Sequence, residues 1–400
     1  MKILNWFDAW VVKGPFTSRD LGIYRIVLSS LLLPYTPRLS NLATYPESFF
    51  LPPPGPFAQL SGFPSQPILI AIEFLTILLT MTTLVGWYTK FSSIALSVTL
   101  IFGYGLTFST GKIDHLIVLM IVPGVLAFAN WGNSLSIDAL RRRRSESLGG
   151  QPQASPQPGT REQSGQDQSP QNQLQWPIRF LALAIGVAFC TAALPKVLNG
   201  WLSLSTHATY GFQVQQDFVR GATSWPSTLL VELHVPVLWE GLDWITIMLE
   251  CSVILCVLSW KSWRVVLAIL SLFHLAIAIS LGIYFSGNVL AYGAFISWGK
   301  VRLPSGRVSA RTADLLVKFV PALVIVGTIA VWFIEGAIPG LLQQKSMLVV
   351  IAGAAIGIWY LVMQAVELFR LLKRRRDVRS DGVVRSDDVS QGPSGQHRSR

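Results

Sequence analysis

Long apolar runs recur along the chain, separated by short polar or proline-rich stretches. A helix that crosses a lipid bilayer needs about 20 mostly apolar residues. Nine runs predict membrane spans, at residues 18–36, 67–87, 91–109, 113–131, 177–195, 239–259, 264–285, 314–335 and 346–371. The pattern therefore predicts an all-α fold, a polytopic integral membrane helical bundle with about nine full spans.

A tenth apolar segment, NVLAYGAFISW at residues 288–298, follows the seventh span. At a rise of about 1.5 Å per residue it is too short for a straight crossing of the bilayer. We expect a thin, tilted or re-entrant segment at this place.

The first 16 residues predict an amphipathic helix. Apolar side chains repeat there at helical spacing opposite polar ones: Ile3, Trp6, Phe7, Trp10 and Val11 against Asn5, Asp8 and Lys13. The pattern favours a helix in the membrane interface over residues 1–16, with a short soluble helix as the alternative. The stretch lacks the continuous apolar core and the small-residue cleavage site of a signal peptide, so we expect it to be retained.

Two polar stretches divide the chain. Residues 140–176 are rich in Gln, Ser, Pro and Gly, and they predict a disordered cytoplasmic linker. Residues 372–400 predict a disordered basic cytoplasmic tail. The membrane part then comprises a first half of four helices at 17–139, a second half at 177–300 that holds the candidate site, and additional helices at 301–371.

Composition and charge agree with a membrane protein. Of 400 residues, 51% are hydrophobic and only 13% are charged, and the mean hydropathy is +0.48. The net charge of +11 does not indicate a nucleic-acid-binding protein, because the cations lie beside apolar spans instead of alternating with aromatics on a soluble face.

The basic residues also predict an orientation, since positive charge accumulates in cytoplasmic loops. If the N-terminus is cytoplasmic, the basic clusters fall on the inside: Arg141 to Arg144, Lys261 with Arg264, Lys300 to Arg311, and Lys373 to Arg376. This agreement requires that the segment at 288–298 counts as a crossing. We therefore expect a multi-pass protein of the cell membrane with both termini in the cytoplasm.

Ionisable groups inside spans are the candidates for chemistry, because a charge at mid-bilayer costs at least about 2.5–3.5 kcal/mol. They are few: Asp20, Arg25, Glu73, His115, Lys196, Asp243, Glu250 and His274. Lys196 ends a span and could extend its amine to the lipid headgroups, and His115 could be an interfacial residue. Asp20 and Arg25 are expected to serve packing.

Glu250 and His274 lie deeper in apolar helices, so each needs a partner inside the bundle. Asp243 and Glu250 are seven residues apart and share a helix face, which we expect to line a polar cavity. A structural hydrogen bond between His274 and Glu250 is the alternative. A transporter whose pathway is lined by such groups is a further alternative, although no inverted repeat is evident.

Cysteine chemistry and a metal site are not predicted. Cys190, Cys251 and Cys256 all lie in apolar spans without a CxxC or Cys/His spacing. We expect them to be core residues.

The order of several motifs resembles a known family. LGIYRIVLSSLLL, the proline-rich YPESFFLPPPGPF, DHLIVLMIVPGVLAFANWGNSLSIDAL, LPKVLNGW, MLECSVIL and FHLAIAISLGIYF follow one another. Together they resemble the membrane domain of vitamin K-dependent gamma-carboxylases and the related horizontally transferred transmembrane (HTTM) proteins. The resemblance covers residues 17–300.

The resemblance implies roles for five residues. Lys196, followed by Trp201, matches the lysine base that deprotonates the reduced vitamin K-like quinone. His115 matches a histidine that hydrogen-bonds the reacting species, and His274 matches the histidine of the FH-type helix. Glu250 is similar to the acidic residue that precedes it. Burial in apolar surroundings disfavours a charged ammonium, which suits a lysine to act as a base.

By this resemblance the chain is a quinol-dependent oxygenase or carboxylase (a lyase) in the lipid bilayer, with quinol, O2 and CO2 as reactants and a peptide as acceptor. The clotting-factor carboxylases carry a large extramembrane domain after their helices, and we expect none here. Carboxylation of protein glutamate is therefore less favoured than the reaction of quinol with oxygen. A non-enzymatic membrane partner or maturation factor for an exported peptide is the alternative.

The orientation can be tested with single cysteines in a background that lacks the native three. A membrane-impermeant thiol reagent should label intact cells at position 61 or 216, where Ser61 and Gln216 are replaced, and not at position 151, where Gln151 is replaced. Labelling of position 151 in intact cells would overturn the orientation.

Overall fold

A computed structural model describes residues 2–111, 116–148, 174–220, 225–232, 235–301, 309–337 and 341–387. Apart from one isolated bridge between Leu51 and Thr110, these ranges form helices and turns. The α-helices are α1 (Lys2–Val12), α2 (Ser18–Leu32), α3 (Gln66–Val85), α4 (Thr89–Phe108), α5 (Ile117–Ala127), α6 (Ile137–Leu148), α7 (Trp176–Leu198), α8 (Ala208–Arg220), α9 (Trp225–Glu232), α10 (Pro236–Cys256), α11 (Trp260–Ser280), α12 (Ser286–Tyr292), α13 (Ala310–Ala337) and α14 (Leu341–Asp387).

Six helices of the described chain are long and apolar enough to cross a membrane: α3, α4, α7, α11, and the parts of α13 and α14 at Thr312–Ile334 and Ser346–Lys373. The helical membrane bundle is thereby confirmed, but the count of nine full spans is not reached. The other three predicted spans are short or acidic. α2 has 15 residues and α5 has 11, while α10 carries three carboxylates.

Positively charged side chains gather at one end of the bundle. Near one end, Arg179 at the start of α7 donates to the carbonyl of Val257, just after α10, and Trp10 of α1 donates to the carbonyl of Leu258. The four-arginine run in α6 is held at this end by contact of Arg141 with the rings of Trp87 and Tyr88. We call it the basic end, and the opposite end the far end.

The short segment after α11 traverses the bundle. Val289 packs with Ala278 near the C-terminal end of α11, and Phe295 packs with Trp263 near its N-terminal end. All seven residues of α12 are buried, so protein side chains surround this segment instead of lipid. Because the chain passes from the far end to the basic end here, Lys261 and Arg264 before it and Lys300 after it lie at the same end.

A buried guanidinium fixes the basic end of α3. Arg25 of α2 is fully buried, and it donates to the carbonyls of Thr83 and Leu84 and to that of Leu135. The last carbonyls of a helix have no intrahelical partner and attract cations. Gly86 ends α3 in the left-handed conformation, and a Cβ there would lie 2.9 Å from an Arg25 nitrogen.

Asp138 has the corresponding role at the start of α4. Its carboxylate accepts from the backbone N–H groups of Tyr88 (3.0 Å) and Thr89 (2.7 Å). The chain around Asp138 forms helix α6, whose N–H at Ala139 donates to the hydroxyl of Ser136. The disorder predicted for 140–148 is therefore corrected to helix, because Leu and Arg are good helix formers once the turn before them is capped. Residues 149–173 lie outside the described residues.

The two ends of the chain are also helical. α1 exposes Trp6, Phe7 and Val12, as an amphipathic helix in an interface would, and its place in the membrane stays a prediction. α14 continues to Asp387, through residues predicted as a disordered tail from 372 onward, because this stretch is rich in arginine, a good helix former, and contains no proline. Residues 388–400 lie outside the described ranges.

Replacing Arg25 tests the importance of its carbonyl contacts. Arg25→Lys retains the charge but loses the planar, forked guanidinium. We expect the free energy of unfolding to fall by about 3 kcal/mol, the contribution of one or two charged hydrogen bonds. Thermal melting in detergent and SDS titration in mixed micelles measure the change. Arg142→Lys, at an exposed position of α6, is the matched control, and equal melting of the two variants would contradict the account.

Candidate functional site between α7 and α10

Helices α7 and α10 approach closely at Gly186, which has no side chain to separate them. A Cβ at Gly186 of α7 would lie 3.1 Å from the Cα of Ile254, which is closer than most side chains tolerate. One turn farther along, Cys190 lies beside the carbonyl of Cys251 at 4.0 Å. Cys190 and Cys256 are half-buried, but Cys251 is exposed, so its prediction as a core residue is wrong. An apolar span does not reveal which of its sides faces lipid.

The amine of Lys196 contacts the carboxylate of Glu250 across this helix pair. The Lys196 side chain is 24% exposed and that of Glu250 is 7% exposed. α7 does not end at Pro195 as predicted but continues to Leu198, and this last turn carries the lysine above α10. The amine is thus turned toward a buried acid instead of extending freely to the headgroups.

Trp201 completes the surroundings of the amine. Its backbone N–H donates to the carbonyl of Lys196 at 3.1 Å, just beyond the end of α7. The Lys196 Nζ atom lies 5.4 Å from the centroid of the Trp201 ring, within the range of a cation–π contact. The structure therefore brings together three of the five residues selected from sequence.

Only one of the two carboxylate oxygens of Glu250 is used in the contact with Lys196. Its Oε1 accepts a hydrogen bond from the Lys196 amine, while its Oε2 is buried and has no hydrogen-bond partner among the described residues. A buried carboxylate oxygen without a donor is costly, so it is a strong acceptor for an incoming hydroxyl or N–H group. The pair can therefore bind a hydroxyl and accept its proton.

Glu250 belongs to an acidic face of α10. Glu240, Asp243 and Glu250 are all buried on it, and this confirms that Asp243 and Glu250 share a side. Asp243 does not line an open cavity: it accepts from the N–H groups of Ala208 (2.8 Å) and Thr209 (2.7 Å) and so caps α8. The acidic face of α10 thus binds both Lys196 and the start of α8, which follows Lys196 in the chain.

His274 lies deeper in the bundle than Lys196. It is 1% exposed, and its Nε2 lies 2.9 Å from the hydroxyl of Tyr292. Its ring stacks on Phe285 with 4.5 Å between centroids, and on Phe189 of α7 at 6.1 Å. Phe189 precedes Lys196 by seven residues, or about 10 Å along the helix. The alternative hydrogen bond between Glu250 and His274 is therefore not formed: Glu250 pairs with Lys196, and His274 pairs with Tyr292.

The remaining candidates serve packing or lie outside the site. Asp20 caps α2 through Thr17 and accepts from the N–H of Gly299 at 2.6 Å, as a packing role predicts. Glu73 accepts from the N–H of Ser40 at 2.7 Å. His115 lies outside the described residues.

Sequence reasoning missed Glu240, His207 and Tyr292. Glu240 is three residues before Asp243 and shares its face, so helical spacing alone could have identified it. His207 lies 3.7 Å from Glu240, and it precedes α8, where no apolar run indicated structure. Tyr292 belongs to the short traversing segment, and nothing in its spacing pointed to His274.

Within the described ranges, no cluster of three or more His, Cys, Asp or Glu side chains could hold a metal ion. No known protein family, no curated protein and no solved structure matches this chain. The likeness to gamma-carboxylases therefore rests on the sequence motifs, and the roles taken from it are proposals.

The pair of His274 and Tyr292 can be tested by a double-mutant cycle. His274→Leu and Tyr292→Phe should each destabilise the protein by about 1–3 kcal/mol, because each leaves a buried polar group unsatisfied. The double variant should lose much less than the sum of the two. Denaturation in mixed micelles measures the coupling, and additive effects would show that the two groups do not interact.

Proposed function

We propose that this chain is an integral membrane enzyme that takes the hydroxyl proton of a lipid-soluble quinol, with Lys196 and Glu250 as the proton-accepting pair. The observation that carries the proposal is the contact of the Lys196 amine with a buried carboxylate whose second oxygen has no donor in the described structure. A quinol hydroxyl is a donor of the kind that this oxygen lacks.

The two residues can act as one base. With one shared proton, the pair is either ammonium with carboxylate or amine with carboxylic acid, and the two forms have the same net charge. The form with the neutral amine is the reactive one, because an amine is a much stronger base than a carboxylate. In it, Glu250 Oε2 accepts the quinol proton while the proton on Oε1 moves to Lys196 Nζ. Afterwards the ammonium and the carboxylic acid lie side by side, and the pair carries one positive charge that can stabilise a nearby anion.

The surroundings of the pair suit an aromatic, apolar ligand. The half-buried ring of Trp201 covers one side of the amine and limits the access of water. Two aromatic rings hold His274 in place: that of Phe189, two turns before Lys196 on α7, and that of Phe285, just before α12. In this proposal His274, which is fixed by its contact with Tyr292, positions α7 through Phe189, and His115 hydrogen-bonds the reacting species, as the resemblance implies.

A bound vitamin K-like quinol supplies the electrons for reaction with O2. The resemblance further implies CO2 and a peptide as reactants, and these form the less supported half of the proposal. The protein's own part is limited to binding the quinol, excluding water and accepting its hydroxyl proton at Lys196 and Glu250.

The proposal includes a membrane topology. α2, α5 and α10 cross the membrane within the bundle, although they are short or acidic. The buried charges of α2 and α10 are paired with other protein groups, and α5 is apolar and largely buried among its neighbours. The traversing segment at α12 is a further crossing. The basic end then faces the cytoplasm together with both termini, and the pair of Lys196 and Glu250 lies near the extracytoplasmic face.

The test is oxygen-dependent oxidation of a reduced naphthoquinone by the purified protein in lipid. Lys196→Arg should preserve the contact with Glu250 and the melting temperature but reduce turnover at least a hundredfold, because a guanidinium does not release a proton to become a base. Lys90→Arg, at an exposed site on α4, is the matched control and should retain full activity.

Glu250→Gln separates the two bases. Turnover that persists in Lys196→Arg but is lost in Glu250→Gln would transfer the role to the glutamate. Undiminished turnover in both variants would remove the pair from the mechanism. Absence of quinol oxidation in the wild type would favour the non-enzymatic membrane partner or the transporter.

A further inference from the structure

A second site of polar character lies at the basic end. A cavity of about 740 Å³ opens there between α1, α7, α11 and α14. Four cationic side chains line it: Lys13, Arg179, Lys261 and Arg264. Glu367 of α14 is the one carboxylate in the lining, so the cavity carries a formal net charge of +3 (four minus one).

Ion pairs within the described chain do not neutralise the positive charge of this cavity. No carboxylate lies within 4.0 Å of any of the four cations in the part of the chain that the structure describes. Lys13 and Lys261 are exposed at its rim. Cations that gather without carboxylate partners repel one another, so an anionic ligand would relieve that repulsion.

The two arginines are held in fixed positions. Arg179 donates from Nε to the carbonyl of Trp10 (3.1 Å) and from Nη1 to that of Val257 (2.8 Å), and its guanidinium lies 3.5 Å from the ring centroid of Trp260. Arg264 donates from Nε to the carbonyl of Phe295 and from Nη2 to Ser297, both at 3.0 Å.

Each arginine keeps one terminal NH2 group for a ligand. Nη2 of Arg179 and Nη1 of Arg264 have no hydrogen-bond acceptor among the residues described. The side-chain oxygen of Gln364, which also lines the cavity, is buried, and no described residue donates to it. Arginine NH2 groups bind phosphate oxygens well, and an amide oxygen suits a hydroxyl.

The position of the cavity indicates a lipid. Its wall includes Trp6, Trp10 and Trp260, and tryptophans of this kind occur at the level of the headgroups. α1 forms one side and exposes Trp6 and Phe7, which an interfacial helix would place against acyl chains. Basic pockets between membrane helices bind anionic headgroups. We propose that this cavity binds the phosphodiester headgroup of an anionic phospholipid, independently of any catalytic role.

The experiment uses delipidated protein in neutral detergent and phosphatidylglycerol as the probe. Phosphatidylglycerol should raise the melting temperature in a saturable manner, whereas phosphatidylcholine should not. Glycerol 3-phosphate at the same concentration should have no effect, because it lacks acyl chains. A shift with glycerol 3-phosphate equal to that with the lipid would assign the cavity to a free phosphate and overturn the lipid proposal.

Matched variants separate this cavity from the general positive charge of the basic end. The double variant Lys13→Gln/Lys261→Gln should weaken phosphatidylglycerol binding about tenfold or more. Lys90→Gln/Lys318→Gln removes the same charge from exposed positions on α4 and α13, away from the cavity, and should bind as the wild type does. All variants are melted without lipid to confirm folding. Equal weakening in both doubles, or equal stabilisation by phosphatidylcholine, would contradict a specific site.

Discussion

A charge buried in a membrane bundle must find a partner, and this constraint determines much of the architecture. Breaking a buried pair by removing one member costs about 3–5 kcal/mol. The contact of Lys196 with Glu250 satisfies the constraint between α7 and α10. Arg25 satisfies it by binding the carbonyls at the end of α3, and Asp243 by capping α8. Each charge thereby fixes one helix relative to another, which apolar surfaces alone would do less specifically.

The candidate site is a consequence of the same pairing. Glu250 and Asp243 lie on one face of α10, so the helix that receives Lys196 also holds the start of α8 beyond it. The turn with Trp201 lies between these two anchors and covers the amine. Because the pairing uses only one oxygen of Glu250, the acid remains able to bind a further donor. A structural ion pair and a proton-accepting site are therefore compatible in the same two residues.

Much of the fold follows from the sequence, but the pairing does not. Hydropathy predicts the helices, and spacing predicts that Asp243 and Glu250 share a face. The identity of a charge's partner depends on which helices pack, and that is a tertiary property: neither Lys196 with Glu250 nor His274 with Tyr292 could be derived from spacing. The short segment containing Tyr292 is similar, because its crossing is possible only where α12 is surrounded by protein. The disorder predicted for 140–148 is wrong because the Ser136 hydroxyl caps the helix that contains these residues.

The central proposal is that a quinol binds beside Lys196 and Glu250. The most direct measurement is photolabelling with a naphthoquinol that carries a diazirine, followed by mass spectrometry of the labelled peptides. We expect labels within residues 190–201 of α7 and its following turn and within 247–256 of α10, and we expect excess unlabelled quinol to suppress them. Labels confined to other helices, or labels that the competitor does not suppress, would contradict the account.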